Sequence, residues 1–291
     1  MSDVALPGSV STVDGEGGLP LLRVQAPGGT AEIHLHGAQV TAWAPAGRAP
    51  VIWMSGRSVF APGKAIRGGV PICFPWFGPG RTGDLTPAHG FARLADWTLA
   101  GAREEGDAVV VSLRLNDTDV AGLPGAQRWP HRFEATYEIT VGAELGLALT
   151  VRNTGPESVS FEEALHTYLS VGDIHDVQVD GLGGATYVDK MADGALVEQD
   201  GPIVFTGETD RVYRSTSDVT VHDGDRTLVV AATGSANTVV WNPWVAKAAA
   251  MADFGDDEWP TMVCVETANV ADDAVVLAPG ASHTMRALIS G

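Results

Sequence analysis

The sequence predicts an all-β protein, a large antiparallel β-supersandwich with few short helices. Short runs rich in β-branched residues recur along the whole chain, and each has the length of a strand. Gly, Pro, Asn and Asp separate these runs, as is typical of tight turns. Almost no helical periodicity lies between them, whereas a parallel sheet would need crossover helices. Together these observations favour antiparallel strands stacked in layers.

The strand pattern can be justified run by run. Residues 132–153 have the pattern of an antiparallel hairpin, and residues 219–230 form a second one with an Asp-Gly pair at its turn. Residues 245–254 are the one candidate helix, and the glycines at 15–18 and 28–29 predict tight loops. The strand-like runs lie at residues 31–37, 50–55, 108–116, 133–141, 145–153, 219–232, 237–243, 261–270 and 274–280.

The organisation of the chain predicts one domain over residues 1–291, with a core from about 30 to 289. A chain of 291 residues can bury a full core, and it contains no internal repeat and no low-complexity linker. Residues 1–12 lack the basic and apolar regions of a secretion signal. No apolar run approaches the roughly 18–20 residues that a bilayer requires. We therefore expect a cytoplasmic protein, as a monomer or a weak oligomer.

The charge of the chain limits its partners. It has 36 acidic and 18 basic residues, a formal net charge of -18 and a pI near 4.6. Such a field repels nucleic acid and anionic membranes, so we expect neither as a partner. The acidity itself is best read as a solvated surface. An anionic ligand would need a local cluster of cations.

Cysteine usage agrees with a reducing compartment. Cys73 and Cys264 are too few for a disulfide scaffold or a thiolate metal site. No catalytic-cysteine signature surrounds Cys73, so we interpret it as a buried structural thiol.

One cation-bearing region stands out from this acidic background. The stretch AIRGGVPICFPWFGPG (65–80) and the stretch PAHGFARLADW (87–97) place Arg67, His89 and Arg93 in loops rich in Pro and aromatic residues. Guanidinium groups match the oxygens of phosphate or carboxylate. We expect the glycines after Arg67 to let the backbone approach a ligand closely. The alternative is that both arginines pair with acids of their own fold.

Two isolated ionisable residues lie in strand-like segments. In EEALHTYLSVGDI the alternation places His166 on one face with Ala164 and Tyr168. In MVCVETANV, Glu266 lies in an otherwise apolar strand, where a carboxylate is costly unless a partner or a site solvates it. Glu266 is therefore a candidate general base. The simpler interpretation of His166 is a hydrogen-bonded core residue.

A metal site is a further alternative at this position. The neighbouring Glu162 and Glu163 could form a cluster with His166. No second histidine has ligand spacing, however, and His34 and His36 lack an evident third ligand. We expect no metal and no other cofactor.

Three further residues complete the candidate pocket. In TGETDRVY, Asp210 either faces a polar ligand or forms a salt-bridged turn with Arg211. Trp76 and Trp241 offer flat surfaces on which sugars stack, although tryptophans are often simply core residues. The sum of these features predicts a pocket for a small, hydroxyl-rich anion that is worked on by an acid and a base.

These segments resemble the hexose-phosphate mutarotases, the glucose-6-phosphate 1-epimerases of the aldose 1-epimerase superfamily. The matching stretches are AIRGGVPICFPWFGPG, HGFAR, ALHTYLSVGDI, TDRVY, VVWNPW and CVET, and they occur in the same order from about residue 30 to residue 285. The resemblance implies a galactose-mutarotase-like supersandwich without metal or organic cofactor. It also implies an isomerase whose partner is a small-molecule sugar phosphate.

The resemblance assigns roles to individual residues. The catalytic histidine and glutamate of the family fall on His166 and Glu266. Its phosphate- and sugar-binding residues fall on Arg67, Arg93 and Asp210. His89 is expected near the pocket as a further substrate-binding residue. Some members have a substrate-contacting glutamine directly before the HG pair, where this chain has Ala88.

The chemistry needs one base and one acid. Glu266 is expected to take the proton of the C1 hydroxyl, while a protonated His166 gives one to the ring oxygen. A nearby carboxylate should keep His166 charged near neutral pH. Glucose 6-phosphate is the favoured substrate. The alternatives are a mutarotase of free aldoses, a non-catalytic carbohydrate-binding protein, and a glycosidase, which would normally need a second facing carboxylate.

Overall fold

The chain folds almost entirely into antiparallel strands. A computed structural model gives the structure of residues 5–291. The expectation about a secretion signal rests in part on residues 1–4, which lie outside the described residues. Within residues 5–291, no helix combines the length and the apolar character needed to cross a membrane.

The elements are numbered in chain order. The described residues form two α-helices, α1 Asp117–Val120 and α2 Trp244–Ala250. Their strands are β1 Val10–Asp14, β2 Pro20–Ala26, β3 Gly29–His34, β4 Gln39–Pro45, β5 Ile72–Cys73, β6 Thr98–Glu105, β7 Ala108–Asn116, β8 Phe133–Val141, β9 Leu145–Asn153, β10 Val159–Phe161, β11 Glu163–Leu165, β12 Tyr168–Ser170, β13 Gln178–Asp180, β14 Thr186–Asp189, β15 Ala195–Glu198, β16 Ile203–Val204, β17 Thr209–Arg214, β18 Val219–Asp223, β19 Arg226–Thr233, β20 Asn237–Asn242, β21 Met262–Asn269, β22 Val275–Leu277 and β23 Ser282–Ser290.

The strands assemble into two large sheets and two small ones. The order in the nine-stranded sheet is β16-β13-β18-β19-β23-β9-β8-β7-β6. The eight-stranded sheet has the order β15-β14-β17-β20-β21-β11-β5, and β12 also pairs with β21. Strands β1 to β4 form a third sheet, and β10 pairs with β22. The main apolar core contains residues from both large sheets, so the predicted antiparallel sandwich is confirmed.

Alternation of apolar and polar residues drives this layering. In β8 Phe133, Ala135, Tyr137 and Ile139 are buried, whereas the residues that alternate with them are at least partly exposed. Each fully buried apolar side chain contributes about 1.5–3 kcal/mol. The predicted hairpin at 219–230 is also confirmed, with Asp223 paired to Arg226 and Gly224 at a φ of 60° in the turn.

Some sequence expectations differ from the structure. Residues 50–55 do not form a strand, because Ile52 and Met54 make only isolated bridges. Strand β15 was not predicted, because all four of its residues are exposed and give no buried face to detect. The helix near 245–254 is shorter than expected and ends at Ala250.

A buried carboxylate anchors the contact between the two large sheets. Glu163 on β11 is fully buried, and it accepts a hydrogen bond from Asn269 Nδ2 at 2.9 Å. Its Oε1 also lies 3.2 Å from Nε2 of His283 on β23 of the other sheet. The contact with Glu163 raises the pKa of His283 above its ordinary value. A buried charge of this kind depends on its partner.

We expect His283→Ala to lower the free energy of unfolding by about 3 kcal/mol, because Glu163 would remain buried without its partner. Since the pKa of His283 is raised, this stability is fully present below pH ~6.5 and is lost as the pH rises through the raised value. Urea denaturation at several pH values measures both effects.

The matched control for this measurement is His222→Ala, which removes the half-exposed pair between His222 and Asp180. An exposed pair contributes less than about 1 kcal/mol. Equal losses in the two variants would contradict the assigned role of His283.

Candidate active site

The register of the eight-stranded sheet brings the predicted catalytic residues together. Leu165 pairs with Thr267 and Tyr168 pairs with Cys264, so the same register continues across the gap between β11 and β12. This register places His166 directly opposite Glu266. Side chains that face each other across an antiparallel pair lie on the same face of the sheet. The two residues therefore meet, although 100 positions separate them in the sequence.

The imidazole of His166 is held from several sides. Its Nε2 lies 3.3 Å from Oε1 of Glu266. The ring of Tyr168 stacks on it with centroids 4.8 Å apart, and Trp241 contacts it edge-on at 5.9 Å. The backbone N–H of His166 donates to the carbonyl of Pro71 at 3.0 Å. His166 itself lies between two strands rather than within one, as β11 ends before it and β12 begins after it.

Burial determines which member of this pair holds a proton. Only 7% of His166 and 1% of Glu266 are exposed. Burial, helped by the positive charges of Arg67 and Arg93, lowers the pKa of His166 well below its ordinary value. Burial raises the pKa of Glu266 well above the ordinary range. Both shifts favour the uncharged forms, a neutral imidazole and a protonated carboxyl group. This direction is the opposite of the charged His166 that the sequence led us to expect, because desolvation outweighs the attraction of the carboxylate.

Arg67 lies on the His166 side of the pocket. Its guanidinium donates to the hydroxyl of Tyr168 at 3.0 Å and to both oxygens of Asp253 at 3.1 and 3.2 Å. The hydroxyl of Tyr168 and the carboxylate of Asp253 raise the pKa of Arg67. Arg67 thus does pair with an acid of its own fold, as the alternative interpretation held, while its Nε remains unpartnered.

The two glycines after Arg67 lie against neighbouring backbone. Gly68 has a φ of 103°, and a Cβ there would lie 2.6 Å from Cα of Met54. Gly69 has a φ of 71°, and a Cβ there would lie 2.4 Å from the carbonyl oxygen of Val40. Glycine is therefore required at both positions for the loop to pack this closely against neighbouring backbone.

Arg93 is the second cation of the site, and its guanidinium has fewer protein partners than that of Arg67. Its guanidinium donates to the carbonyl of Ala88 at 2.7 Å, and no carboxylate pairs with it among the described residues. Burial lowers its pKa. Because the contact uses the backbone of Ala88, it does not depend on the side chain at that position.

His89 lies beside His166. Its ring contacts that of His166 edge-on, with centroids 5.6 Å apart. The backbone N–H of Gly78 donates to its Nδ1 at 3.3 Å, and Cys73 Sγ lies 3.2 Å from the same atom. Burial, with the positive charge of Arg93, lowers the pKa of His89. The neutral ring therefore carries its proton on Nε2.

Asp210 reaches the site from β17. It pairs in register with Trp241, and Trp241 pairs with Cys264, two positions before Glu266 on β21. Asp210 does not form a turn with Arg211, since successive strand residues point to opposite faces. Its Oδ1 instead lies 3.0 Å from Nζ of Lys190.

Sequence reasoning missed Lys190 and Asp253. Lys190 lies directly after β14, and Asp253 lies in the loop after α2. Neither has a local sequence signal, because each reaches the site through a partner far away in the chain. Trp76 is the opposite case, since it is buried in the main core and donates to the carbonyl of Pro87 at 2.8 Å. Trp76 is therefore no sugar platform.

The site concentrates buried polar atoms that have no protein partner. Among the described residues, eight side-chain N or O atoms are buried without a hydrogen bond, and five of them belong to Arg67, Arg93, His166 and Glu266. Most buried polar atoms in proteins are hydrogen-bonded. Such a convergence is typical of a binding pocket whose ligand supplies the missing partners.

The possible metal ligands can be compared with this geometry. Glu162 accepts from the backbone N–H groups of Phe77 and Ala271, at 3.1 and 2.7 Å. Together with the partners of Glu163 described above, this means that neither glutamate forms a cluster with His166. Ligand atoms of His166, Cys264 and Glu266 do lie within 4.8 Å of one another. Burial raises the pKa of Cys264, which makes its thiolate costly to form.

The arrangement combines three chemical capacities on one face. It has the pair of His166 and Glu266, two half-buried guanidinium groups and the carboxylate of Asp210, one oxygen of which is bound to Lys190. Apolar residues of the same face surround these groups and form a separate small cluster: Cys73, Phe77, Ala164, Val212, Val239, Ala268 and Val270. Proton transfer to and from an anionic, hydroxyl-bearing ligand is the chemistry that this set supports.

Comparisons with known proteins show which family and which relatives the chain is similar to. The aldose 1-epimerase family matches residues 20–290. A relative from Escherichia coli (strain K12), named "Putative glucose-6-phosphate 1-epimerase", is 37% identical over 276 residues, which cover 93% of this chain and 90% of the relative.

Solved structures extend the comparison to the fold. The crystal structure of a "putative mutarotase" from Salmonella typhimurium has a TM-score of 0.89 and 33% identity, and the match covers 99% of this chain and 95% of that one. A "galactose mutarotase-like protein" from Clostridium acetobutylicum has a TM-score of 0.71 at 14% identity, over 97% of this chain and 98% of that one. The predicted galactose-mutarotase-like fold is confirmed.

In the protein without sugar, we expect the ring of His166 to stay neutral when the pH falls through 6.5, because burial and two arginines oppose its charged form. Histidine ¹⁵N NMR measures the titration, with His166→Gln to assign the signal. The variant Arg93→Met removes one positive charge and should raise the pKa of His166. Titration of His166 near 6.5 in the unaltered protein would contradict the charge assignment.

Proposed function

The chain belongs to the aldose 1-epimerase family, and we propose that it interconverts the α and β anomers of a hexose 6-phosphate, with glucose 6-phosphate as the favoured substrate. The convergence of unpartnered buried atoms from Arg67, Arg93, His166 and Glu266 is the observation that carries this proposal. The relative from Escherichia coli supports the choice of substrate through its name. No metal or organic cofactor is invoked.

Anomer exchange requires the bond between C1 and the ring oxygen to break and re-form on the other face. Glu266, as a carboxylate, takes the proton of the C1 hydroxyl while His166, as imidazolium, gives a proton to the ring oxygen. The open-chain aldehyde then turns about its C1–C2 bond. The same two groups reverse their roles to close the ring. Each contributes about 10²- to 10⁴-fold to the rate.

Binding of the phosphate group prepares the acid. The positive charges of Arg67 and Arg93 help to keep His166 neutral in the structure described above. A phosphate dianion between them offsets those charges and so favours the imidazolium form. The proton then passes from Glu266 to His166 across their 3.3 Å separation. The pair holds one proton before and after this transfer.

The remaining contacts orient the sugar. Asp210 accepts hydrogen bonds from sugar hydroxyls through the oxygen that Lys190 does not occupy. The Nε2–H of His89 donates to an oxygen of the substrate. Trp241 and Tyr168 keep the ring of His166 aligned during the reaction. Orientation of this kind lowers the entropic barrier to reaction.

We expect the protein to accelerate α–β exchange of glucose 6-phosphate well above the rate in buffer, as measured by two-dimensional NMR exchange spectroscopy. His166→Gln should slow this exchange by about 10²- to 10⁴-fold, because the ring oxygen loses its proton donor. Binding of the sugar phosphate by that variant should persist. Absence of acceleration by the unaltered protein would overturn the proposed function.

The phosphate preference has its own test. We expect Arg93→Met to raise KM for glucose 6-phosphate by about 10- to 100-fold, since a charged hydrogen bond contributes about 1.5–3 kcal/mol. The KM for free glucose should not rise, because that sugar has no phosphate for Arg93 to bind. Arg57→Met is the control, because Arg57 forms an exposed pair with Asp256. Equal exchange of glucose and glucose 6-phosphate by the unaltered protein would indicate a free-sugar mutarotase instead.

A further inference from the structure

Lys190 is the one lysine that reaches the pocket, and the function proposed above has not used its charge. The chain has three lysines, Lys64, Lys190 and Lys247. Lys190 lies in the turn of the hairpin formed by β14 and β15. This hairpin is at the edge of the eight-stranded sheet, and all four residues of β15 are exposed. The turn therefore lies at an exposed edge of the sheet that carries the site.

The position of Lys190 is fixed by the register of its hairpin. The last pair between β14 and β17 joins Asp189 to Arg211. The next position along each strand places Lys190 opposite Asp210, and their charged atoms lie 3.0 Å apart. The side chain of Asp189 accepts from the backbone N–H of Met191 at 2.9 Å and so caps the short turn that carries Lys190.

A second contact directs the ammonium group over the pocket. Nζ of Lys190 lies 4.9 Å from the centroid of the Phe77 ring. Phe77 in turn packs edge-on against His89, with ring centroids 4.8 Å apart. His89 contacts the ring of His166, so Phe77 connects Lys190 to the proposed catalytic pair. An ion pair that served only the surface would not need this cation–π contact. Lys190 is thus held between the sugar-facing carboxylate and the aromatic wall of the site.

We propose that Lys190 is a substrate-positioning residue, which holds the carboxylate of Asp210 toward the sugar hydroxyls and completes the positive rim beside Glu266. This inference rests on the function proposed above and adds a residue to its site. With one oxygen of Asp210 bound to Lys190, the other oxygen is fixed in direction. The ammonium also reduces the repulsion between the carboxylates of Asp210 and Glu266.

The charges around Glu266 support the second of these effects, the reduced repulsion between the carboxylates of Asp210 and Glu266. Burial raises the pKa of Glu266, and the negative charge of Asp210 raises it further. The positive charge of Lys190 lowers the pKa of Glu266. Arg93 acts in the same direction as Lys190. His166 and Cys264 are the other titratable groups that face Glu266. Removal of Lys190 therefore makes Glu266 a base that ionises only at higher pH.

The test compares three variants in the anomer-exchange assay with glucose 6-phosphate. Lys190→Met should raise KM about tenfold, the size of one charge-assisted hydrogen bond. It should also move the acid limb of the pH profile of kcat/KM upward by about one pH unit. Lys190→Arg keeps the charge and should restore the acid limb. Lys247→Met removes an exposed lysine of α2 and should behave as the unaltered protein does.

A binding measurement complements the kinetics. In protein labelled with ¹³C at lysine Cε, the three lysines give a simple NMR spectrum. Addition of glucose 6-phosphate should shift the Lys190 signal and leave that of Lys247 in place. An active unaltered protein together with an unchanged KM and acid limb in Lys190→Met would overturn this inference alone. An unaltered protein that accelerates no exchange would overturn the proposed function and this inference with it.

Discussion

The antiparallel register of the eight-stranded sheet is the constraint on which the site depends. Pairing of Tyr168 with Cys264 places His166 opposite Glu266, and the same ladder continues through Trp241 to Asp210. A slip of one residue would turn every side chain of the shifted strand to the other face, so no part of the site could shift alone. The register is secured because the opposite face of these strands packs in the main core.

The site resolves the conflict between an acidic protein and an anionic ligand by local placement of cations. Arg67 and Arg93 are largely buried, and each is held by groups of the fold rather than by solvent. In a medium of low dielectric constant their fields act strongly on neighbouring groups. The positive charges of both arginines oppose the protonation of His166. The proposed acid–base pair and the arginines proposed to bind the phosphate are therefore electrostatically coupled.

Much of the fold could be predicted from the sequence, because alternation records which face of a strand is buried. Strands β8 and β9 begin and end at the predicted residues 133–141 and 145–153. The apolar surroundings of Glu266 suggested a candidate base, whereas the role of His166 came from the resemblance to the mutarotases. Their meeting could not be derived locally, since it depends on a pairing between strands far apart in the chain. The contact of Arg67 with Asp253 spans 186 positions and left no pattern to detect.

The close approach of His166 to Glu266 has a consequence for exchange with solvent. In the proposed reaction, the proton that leaves the C1 hydroxyl remains on the pair, and the pair returns one proton when the ring closes. The complete cycle thus takes up no proton from water and releases none. A pocket that operates in this way can stay closed to bulk water between ring opening and ring closure, which protects the reactive open-chain aldehyde from hydration.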